Sequence, residues 1–183
     1  MKVTETELKG CLIIEPKVFK DERGYFFESF NEKYFEDKTG LKTLFVQDNE
    51  ALSHRGTIRG LHFQKGIHAQ AKLLRVVKGE ILDVVVDLRE DSETYGEVYK
   101  IILSENNKKQ LYVPKGFAHG YSVLENNTIL HYKCDAPYFP ESESGIHYLD
   151  SNLNIDWLLK KEEHIVSEKD QNLPNLDEIV GKV

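Results

Sequence analysis

Hydrophobic and polar residues alternate with period two over many short stretches of this chain. The clearest example is residues 81–88, in which Leu82, Val84, Val86 and Leu88 alternate with Ile81, Asp83, Val85 and Asp87. Alternation of this kind is typical of β-strands, and Gly, Asn and Asp residues separate the stretches as turns. No long helical pattern lies between them to form crossover connections. The sequence therefore predicts an all-β fold, either a sandwich or a barrel.

Two short helices and a docked tail complete the predicted fold. A helix is expected over about residues 31–38, closed by Gly40. In SEKD, Ser167 and Asp170 have the spacing of a helix cap and its third-position partner. Four hydrophobic residues of the tail are expected to dock on the strands: Leu153, Ile155, Trp157 and Leu158. The chain 1–183 is therefore predicted to form one domain, with a core barrel over about 11–150 and a tail over about 151–183.

Composition and charge argue against several classes of function. The 183 residues carry a formal net charge of −7 and no polybasic run, so neither nucleic acid nor an anionic membrane surface is expected as the main partner. The N-terminus lacks the apolar segment of a signal peptide, and no apolar run reaches membrane-spanning length. Cys11 and Cys134 are far apart in the sequence and lack metal-ligand spacing. This pattern fits two reduced thiols in a cytoplasmic protein. We therefore expect a soluble cytoplasmic protein.

The stretch RGLHFQKGIHAQAKLLRVV at residues 59–77 concentrates candidate chemistry on two predicted strands joined by a polar hairpin. Strict alternation would place Arg59 and His62 on opposite faces, but Gly60 between them indicates a bulge or a close backbone approach. Lys72, on the second strand, could meet His62 across the hairpin. A base and a cation at one cavity suit the removal of a proton next to a carbonyl group.

Each of these residues also has a purely structural interpretation. A histidine in a strand is more often a hydrogen-bonded structural residue than a catalytic one. Arg59 and Lys72 could pair with acids at the edge of the core, such as Asp83 or Asp87. Asp170 is fully explained as the capping-box partner of Ser167. The residues alone leave these alternatives open.

Two further residues could join such a site. His119 lies near two glycines in VPKGFAHGYSV, so the backbone is free to present it, although a turn histidine would have the same surroundings. Tyr132 shares a strand face with Leu130 and Cys134, so its phenol would point inward if that face is buried. Buried tyrosines are usually core residues whose hydroxyl finds a partner.

The histidine pattern does not predict a metal centre. No second histidine lies two residues after His62, and the other histidines are scattered along the chain. Glycine-rich phosphate loops and the GxSxG motif are also absent from the sequence. We therefore expect Arg59 and Lys72 to supply the positive charge that a metal would otherwise supply.

In its longer motifs the chain resembles the dTDP-4-dehydrorhamnose 3,5-epimerase family. The resemblance runs from about residue 8 to about residue 175 and rests on RGLH, QAK and GFAHG in this order. Further matching stretches are EPKVFKDERGYFFESF, FVQDN, YKCDAPYFP and SEKD. The resemblance implies a cupin-type jelly-roll barrel with short peripheral helices.

The resemblance also implies a role for individual residues. His62 matches the family's general base, and Asp170 matches the carboxylate paired with it. Tyr132 matches the general acid on the opposite face of the sugar, and Lys72 matches the group beside the C4 oxygen. Tyr138 in APYFP matches an aromatic residue that stacks near the nucleobase. The remaining matches line the nucleotide-sugar site: Arg23, Glu28, Gln47, Asp48, Asn49, Arg59, His119, Glu143 and Lys169.

The implied reaction inverts C3 and C5 of dTDP-4-dehydro-6-deoxy-D-glucose to give dTDP-4-dehydro-L-rhamnose. Loss of either proton gives an enolate that a cation near O4 would stabilise, and no metal or redox cofactor is needed because no hydride moves. The alternatives are a single-centre epimerase on a related nucleotide sugar, a non-catalytic barrel that binds sugar nucleotides, and a metal-dependent cupin enzyme. A homodimer is also implied, with the N-terminal strands and the Arg23 region against the partner.

Overall fold

The computed structural model describes residues 1–179, which form fourteen β-strands and two short α-helices. The strands are β1 (Lys2–Glu5), β2 (Leu12–Glu15), β3 (Phe19–Asp21), β4 (Gly24–Phe26), β5 (Gln47–Ser53), β6 (Thr57–Gln64), β7 (Lys72–Lys78), β8 (Glu80–Asp87), β9 (Val98–Ser104), β10 (Gln110–Val113), β11 (Phe117–Val123), β12 (Thr128–Cys134), β13 (Glu143–Gly145) and β14 (Ile165–Val166). The helices are α1 (Glu32–Thr39) and α2 (Glu168–Gln171). Neither of these two helices has the length and apolar character needed to cross a bilayer.

Most of the strands form two sheets that pack face to face. The first sheet has the order β1-β2-β10-β7-β12-β5, and the second has the order β13-β6-β11-β8-β9, with antiparallel neighbours throughout. β14 joins the second sheet by pairing with β6 in parallel. The core between the sheets includes Leu74, Leu111 and Leu130 from the first sheet and Val85, Leu103 and Val123 from the second. The prediction of an all-β fold is confirmed.

The C-terminal tail covers the outer face of the second sheet. The buried cluster there contains Leu82, Val84 and Val86 of β8 together with Leu153, Trp157, Leu176 and Ile179 of the tail. Ile155 packs against this cluster and is partly buried, as expected for a docked tail. The prediction for Leu158 is wrong, because its side chain is 50% exposed. Its neighbour Trp157 takes the buried position, and Leu158 itself has a left-handed backbone conformation with φ of 57°.

Both predicted helices are present, with Gly40 and Ser167 as the predicted caps. The Asn31 side chain accepts a hydrogen bond at the start of α1, and Gly40 ends the helix in the left-handed conformation with φ of 72°. At the start of α2, Ser167 Oγ accepts from the backbone N–H of Asp170 at 3.1 Å. The capping prediction is confirmed, and the cap fixes the position of Asp170 relative to β6.

A bulge in β6 places Arg59 and His62 on the same face of the second sheet. From Arg59 to His62 the chain of β6 advances three residues while its partner β11 advances two. Gly60 has φ of 118°, and a Cβ atom at this position would lie 2.6 Å from Cα of Gly120. Only glycine adopts this positive φ without strain and lacks the Cβ atom that would clash with Gly120. The bulge predicted from Gly60 is therefore confirmed.

The β3–β4 hairpin forms a separate two-stranded sheet. Its aromatic side chains are largely exposed, with Phe19 at 52%, Tyr25 at 55% and Phe26 at 67%. Arg23 lies at its turn and forms an ion pair of 2.6 Å with Asp21. A lone hairpin of this kind is only marginally stable in water, and exposed aromatic surface is typical of contact regions.

Candidate active site

A cavity of about 590 Å³ lies between the two sheets. It is bordered by inward faces of β6 and β11 in the second sheet, by β5, β7 and β12 in the first, and by the tail around α2. A second cavity of about 320 Å³ adjoins it, and the two share His62, Lys72 and Tyr132. Asp170 borders the larger cavity. The structure therefore brings together the four residues that the sequence associates with catalysis.

His62 and Asp170 form a hydrogen-bonded pair although 108 residues separate them. His62 Nε2 lies 2.8 Å from Asp170 Oδ1, and the backbone N–H of Gly60 donates to Oδ2 at 3.1 Å. Burial alone would raise the pKa of Asp170, but the hydrogen bonds from His62, Gly60 and Ser167 outweigh it and lower that pKa. Since a carboxylate only accepts hydrogen bonds, Nε2 carries the proton and Nδ1 is the basic nitrogen of His62.

The tail carries Asp170 to this position through two local interactions. β14 pairs in parallel with Thr57 and Ile58 at the start of β6. The Ser167 cap then begins α2, which presents Asp170 to the bulge. Asp170 takes part in the cap only through its backbone N–H, while its carboxylate binds His62 and Gly60, so the structural interpretation does not exclude the catalytic one.

Lys72 begins β7, and its side chain borders both cavities. The prediction of a hairpin is wrong, because β6 and β7 belong to different sheets, so Lys72 and His62 meet across the cavity between the sheets. Burial lowers the pKa of its ammonium group, while Cys134, Asp83 and Glu143 act in the opposite direction. Within residues 1–179 the side chain forms neither an ion pair nor a hydrogen bond. A half-buried ammonium group without a protein partner at the border of a cavity suits the binding of an anionic oxygen.

Tyr132 borders both cavities from the inward face of β12. Burial raises the pKa of its phenol, the nearby Cys134 adds to the increase, and Arg59 opposes it. The phenol is therefore protonated near neutral pH and is able to donate a proton. The expectation of an inward-facing phenol agrees with this position.

His119 forms a second histidine–carboxylate pair, opposite His62 on the neighbouring strand. Its Nε2 atom lies 2.9 Å and 3.1 Å from the two oxygens of Asp83, and both side chains are buried. Arg59 Nε instead donates to the hydroxyl of Ser53 at 3.3 Å. The interpretation that Arg59 or Lys72 pairs with Asp83 or Asp87 is therefore wrong.

Three predicted residues form a hydrogen-bonded group where the two cavities adjoin. The Tyr138 hydroxyl and the Lys169 ammonium group each lie 2.5 Å from Glu143 Oε2. Burial alone would raise the pKa of Glu143, but the bonds from Lys169 and Tyr138 outweigh it and lower that pKa. Glu143 is on β13 and Lys169 is on α2, so this group joins the rim to the helix that carries Asp170.

Alternation along β5 separates the three predicted residues of VQDN. Gln47 and Asn49 border the smaller cavity, and their side chains share a hydrogen bond of 3.1 Å. Asp48 lies between them and faces outward, where it accepts from Lys133 at 2.9 Å. The structure therefore does not bring Asp48 to the cavity, because adjacent strand residues point to opposite faces.

Arg23 and Glu28 are also outside the two cavities. Arg23 is in the exposed β3–β4 hairpin. Glu28 accepts from the side chain of Asn31 at 3.1 Å, beside a groove on the outer face of the first sheet. Within one chain these two residues do not meet His62.

Several residues of the site were not predicted from the sequence. Tyr121 borders the larger cavity, and its buried phenol has a pKa of about 12, since burial raises it more than Arg59 and Ser53 lower it. Gln64 and Gln70 border the smaller cavity. Tyr121 could have been found, because it is two residues from His119 on the same strand and therefore on the same face. Gln64 could have been found in the same way, because it is two residues after His62 on β6 and therefore on the same face.

Each of the two histidines at the larger cavity is paired with one carboxylate. Among residues 1–179, no three His, Cys, Asp or Glu side chains are grouped closely enough to hold a metal ion. A neutral imidazole nitrogen, a phenol and an ammonium group border the same space. These are groups that accept a proton, donate a proton and stabilise a negatively charged oxygen.

Comparison with known proteins identifies the family. The model of the family described as dTDP-4-dehydrorhamnose 3,5-epimerase matches residues 5–178. The chain belongs to the dTDP-4-dehydrorhamnose 3,5-epimerase family. The epimerase of this name from Methanothermobacter thermautotrophicus is 50% identical over 175 residues, which cover 95% of this chain and 94% of the relative.

Solved structures of this epimerase family have the same fold. The dTDP-4-dehydrorhamnose 3,5-epimerase of Elizabethkingia anophelis is 53% identical, with a TM-score of 0.94 and 98% of each chain covered. The dTDP-6-deoxy-D-glucose-3,5-epimerase of Legionella pneumophila, solved in complex with dTDP-4-keto-L-rhamnose, is 45% identical. Its TM-score is 0.92, and the match covers 96% of this chain and 93% of that one. The predictions of an epimerase, of its family and of a cupin-type jelly roll are confirmed.

Proposed function

We propose that this chain inverts C3 and C5 of dTDP-4-dehydro-6-deoxy-D-glucose and releases dTDP-4-dehydro-L-rhamnose. The observation that carries the proposal is the convergence of the His62–Asp170 pair, Lys72 and Tyr132 on one space. The complex of the Legionella pneumophila relative with dTDP-4-keto-L-rhamnose supports the substrate class.

Each inversion exchanges one C–H bond for another on the opposite face of the ring. His62 Nδ1 takes the proton from C3 or C5, the C–H electron pair forms a C=C bond with C4, and the carbonyl pair moves to O4. The Lys72 ammonium group stabilises the resulting O4 anion. Asp170 holds His62 in the basic tautomer and stabilises the imidazolium that forms.

Tyr132 donates its proton to the same carbon from the other face as the carbonyl at C4 is restored. Solvent then returns a proton to the phenolate and removes one from His62, so no net proton is consumed. The high pKa of the buried phenol keeps it protonated before the step. It also makes the phenolate a strong enough base to be reprotonated readily.

The same proposal assigns the remaining polar residues to the nucleotide diphosphate and the sugar. Arg59 is the candidate for the phosphate oxygens, since its guanidinium suits an anionic ligand, and His119 borders the same cavity. Tyr138 offers a ring for stacking on the base. Further candidates at the rim are Gln47, Asn49, Glu143 and Lys169.

A homodimer would bring Arg23 and Glu28 to the site of the partner. The exposed aromatic hairpin around Arg23 supports this arrangement, because in one chain its rings lie open to water. We also propose that the chain acts as one domain in the cytoplasm, where the free thiols of Cys11 and Cys134 would stay reduced.

Deuterium exchange tests the proposed reaction. With the dTDP-linked keto-sugar in deuterated water, the wild-type protein should incorporate label at both C3 and C5 and give the inverted product. Label at one carbon would show a single-centre epimerase, and binding without label would show a non-catalytic barrel. Tyr132→Phe should retain part of the exchange but lose inversion, whereas equal loss of both would contradict the role of Tyr132.

A further inference from the structure

Gln64 uses every polar atom of its side chain to fasten two loops together. It lies two residues after His62 on the same face of β6 and is 7% exposed. Its Nε2 atom donates to the carbonyl oxygens of His68 at 2.7 Å and Pro137 at 3.3 Å. Its Oε1 atom accepts from the backbone N–H of Phe139 at 2.6 Å. The amide thus joins the connection between β6 and β7 to the segment 135–142, here called the Tyr138 loop.

Two more glutamines hold the same loop by its backbone. Gln47 Oε1 accepts from the N–H of Tyr138 at 2.8 Å. Gln70 Nε2 donates to the carbonyl of Ala136 at 2.7 Å. Together with Gln64 they bind four consecutive residues, 136–139, from three separate places in the chain. Residues 136–139 form neither helix nor strand, and these side chains satisfy backbone groups that regular structure would otherwise satisfy.

The Tyr138 ring is held at both ends while its surface stays open. Its backbone is bound by the glutamines, and its hydroxyl lies 2.5 Å from Glu143, the residue paired with Gln64 across β6 and β13. Tyr138 nevertheless remains 49% exposed. A planar ring that is fixed in place but open to solvent is prepared for stacking, because little rotational freedom remains to be lost on binding.

We propose that Gln64 is a positioning residue, which sets the Tyr138 ring for the nucleobase and so controls affinity for the nucleotide half of the substrate. The inference rests on the proposed function and extends it. Gln64 acts through the Tyr138 loop and takes no part in proton transfer. Loss of its amide leaves one N–H and two carbonyl groups of the loops without partners, so the loops must move to find water.

Binding of dTDP by calorimetry tests this without requiring turnover. Gln64→Met keeps the length of the side chain and removes its hydrogen bonds. Gln64→Glu keeps an acceptor for Phe139 but turns a negative oxygen towards two carbonyl oxygens. Both variants should raise the Kd for dTDP and the KM for the dTDP-sugar by about tenfold or more, with kcat changed less than about threefold. An unchanged Kd in both would overturn the proposal.

Asn107 provides a matched control. Its side chain also makes three hydrogen bonds to backbone, at 2.9 Å to Ile102, 2.9 Å from Lys109 and 3.2 Å from Ser104, in the turn between β9 and β10. Asn107→Ala should lower Tm as the Gln64 variants do but leave the Kd for dTDP unchanged. If Kd rose in every variant in proportion to its loss of Tm, including Asn107→Ala, the effect would be a general structural one and would contradict the positioning role.

A double-mutant cycle shows whether Gln64 acts through Tyr138. In a Tyr138→Ala background, Gln64→Met should change the Kd for dTDP by less than about twofold, because the ring that it positions is gone. Full additivity would overturn the inference. If the wild-type protein binds dTDP but exchanges no protons, the proposed reaction fails while these binding comparisons still decide the role of Gln64.

Discussion

Asp83 and Asp87 lie on the same inward face of β8, and both side chains are fully buried. Asp83 faces His119, which borders the larger cavity. Asp87 instead faces Arg89, whose guanidinium donates to both carboxylate oxygens at 2.8 Å and 2.6 Å. Two hydroxyl groups of the following loop complete the surroundings of Asp87.

The partner therefore decides what a buried carboxylate can do. An imidazole can accept and release a proton, so the pairs Asp83–His119 and Asp170–His62 are able to take part in proton transfer. The arginine beside Asp87 keeps its charge at all relevant pH values. We infer that the histidine pairs serve the cavity, whereas the Asp87 cluster stabilises the fold.

The largest expected effect comes from Asp170→Asn. An amide that donates to Nε2 of His62 forces the proton onto Nδ1 and removes the base, so the exchange rate should fall by about 10³-fold or more. The Tm should change little, since the shape of the side chain is kept. Gln171→Ala, one residue along α2, is the control and should exchange normally. If Asp170→Asn exchanged protons at the wild-type rate, the base would be a residue other than His62.

Much of the fold was predictable because its signals are local. The period-two pattern of β8 identifies a strand by itself, and Ser167 and Asp170 mark the start of α2 by their spacing. Leu158 was not predictable in this way, because its burial depends on which of two neighbouring side chains reaches the core. Local patterns identify elements but not how the elements dock.

The site depends on contacts between distant segments, which the pattern of residues does not encode. Gly60 indicates a bulge, but its approach to Gly120 of β11 sets the register that places Arg59 beside His62. The roles of Asp170 and Tyr132 came from the family resemblance. Gln64 carries no motif, because an amide that binds loop backbone is recognised only when the loop is in place.

The second largest effect should come from Asp87→Asn, on stability. The substitution leaves the Arg89 guanidinium without its anionic partner, and we expect the free energy of unfolding to fall by about 2 kcal/mol, since Arg89 still reaches water. Exchange by the folded protein should stay within about threefold of the wild type. Urea unfolding measures the free energy of unfolding, and deuterium-exchange assays on the same protein measure the activity. A loss of activity without a loss of stability would remove the distinction between the two kinds of carboxylate.

The Asp87 contribution should also depend on pH. Burial alone would raise the pKa of Asp87, but the bonds from Arg89, Ser92 and Thr94 outweigh it and lower the pKa to about 2. A lowered pKa stabilises the fold above the unfolded value of about 3.9, and this contribution is lost as pH falls towards about 2. The difference in unfolding free energy between wild type and Asp87→Asn should shrink over this range. A constant difference would contradict the assignment.

The smallest expected effect separates a hydrogen bond to a charged acceptor from one to a neutral acceptor. Thr94 Oγ1 donates to Asp87 at 2.7 Å, whereas Thr128 Oγ1 donates to the backbone carbonyl of Glu125 at 2.9 Å. Replacing either threonine with valine should cost about 1 kcal/mol at neutral pH. Between about pH 4 and pH 2 the cost of Thr94→Val should decline, because Asp87 gains a proton, while the cost of Thr128→Val should not change. Parallel pH dependence of the two variants would mean that Asp87 is not the charged centre of its cluster.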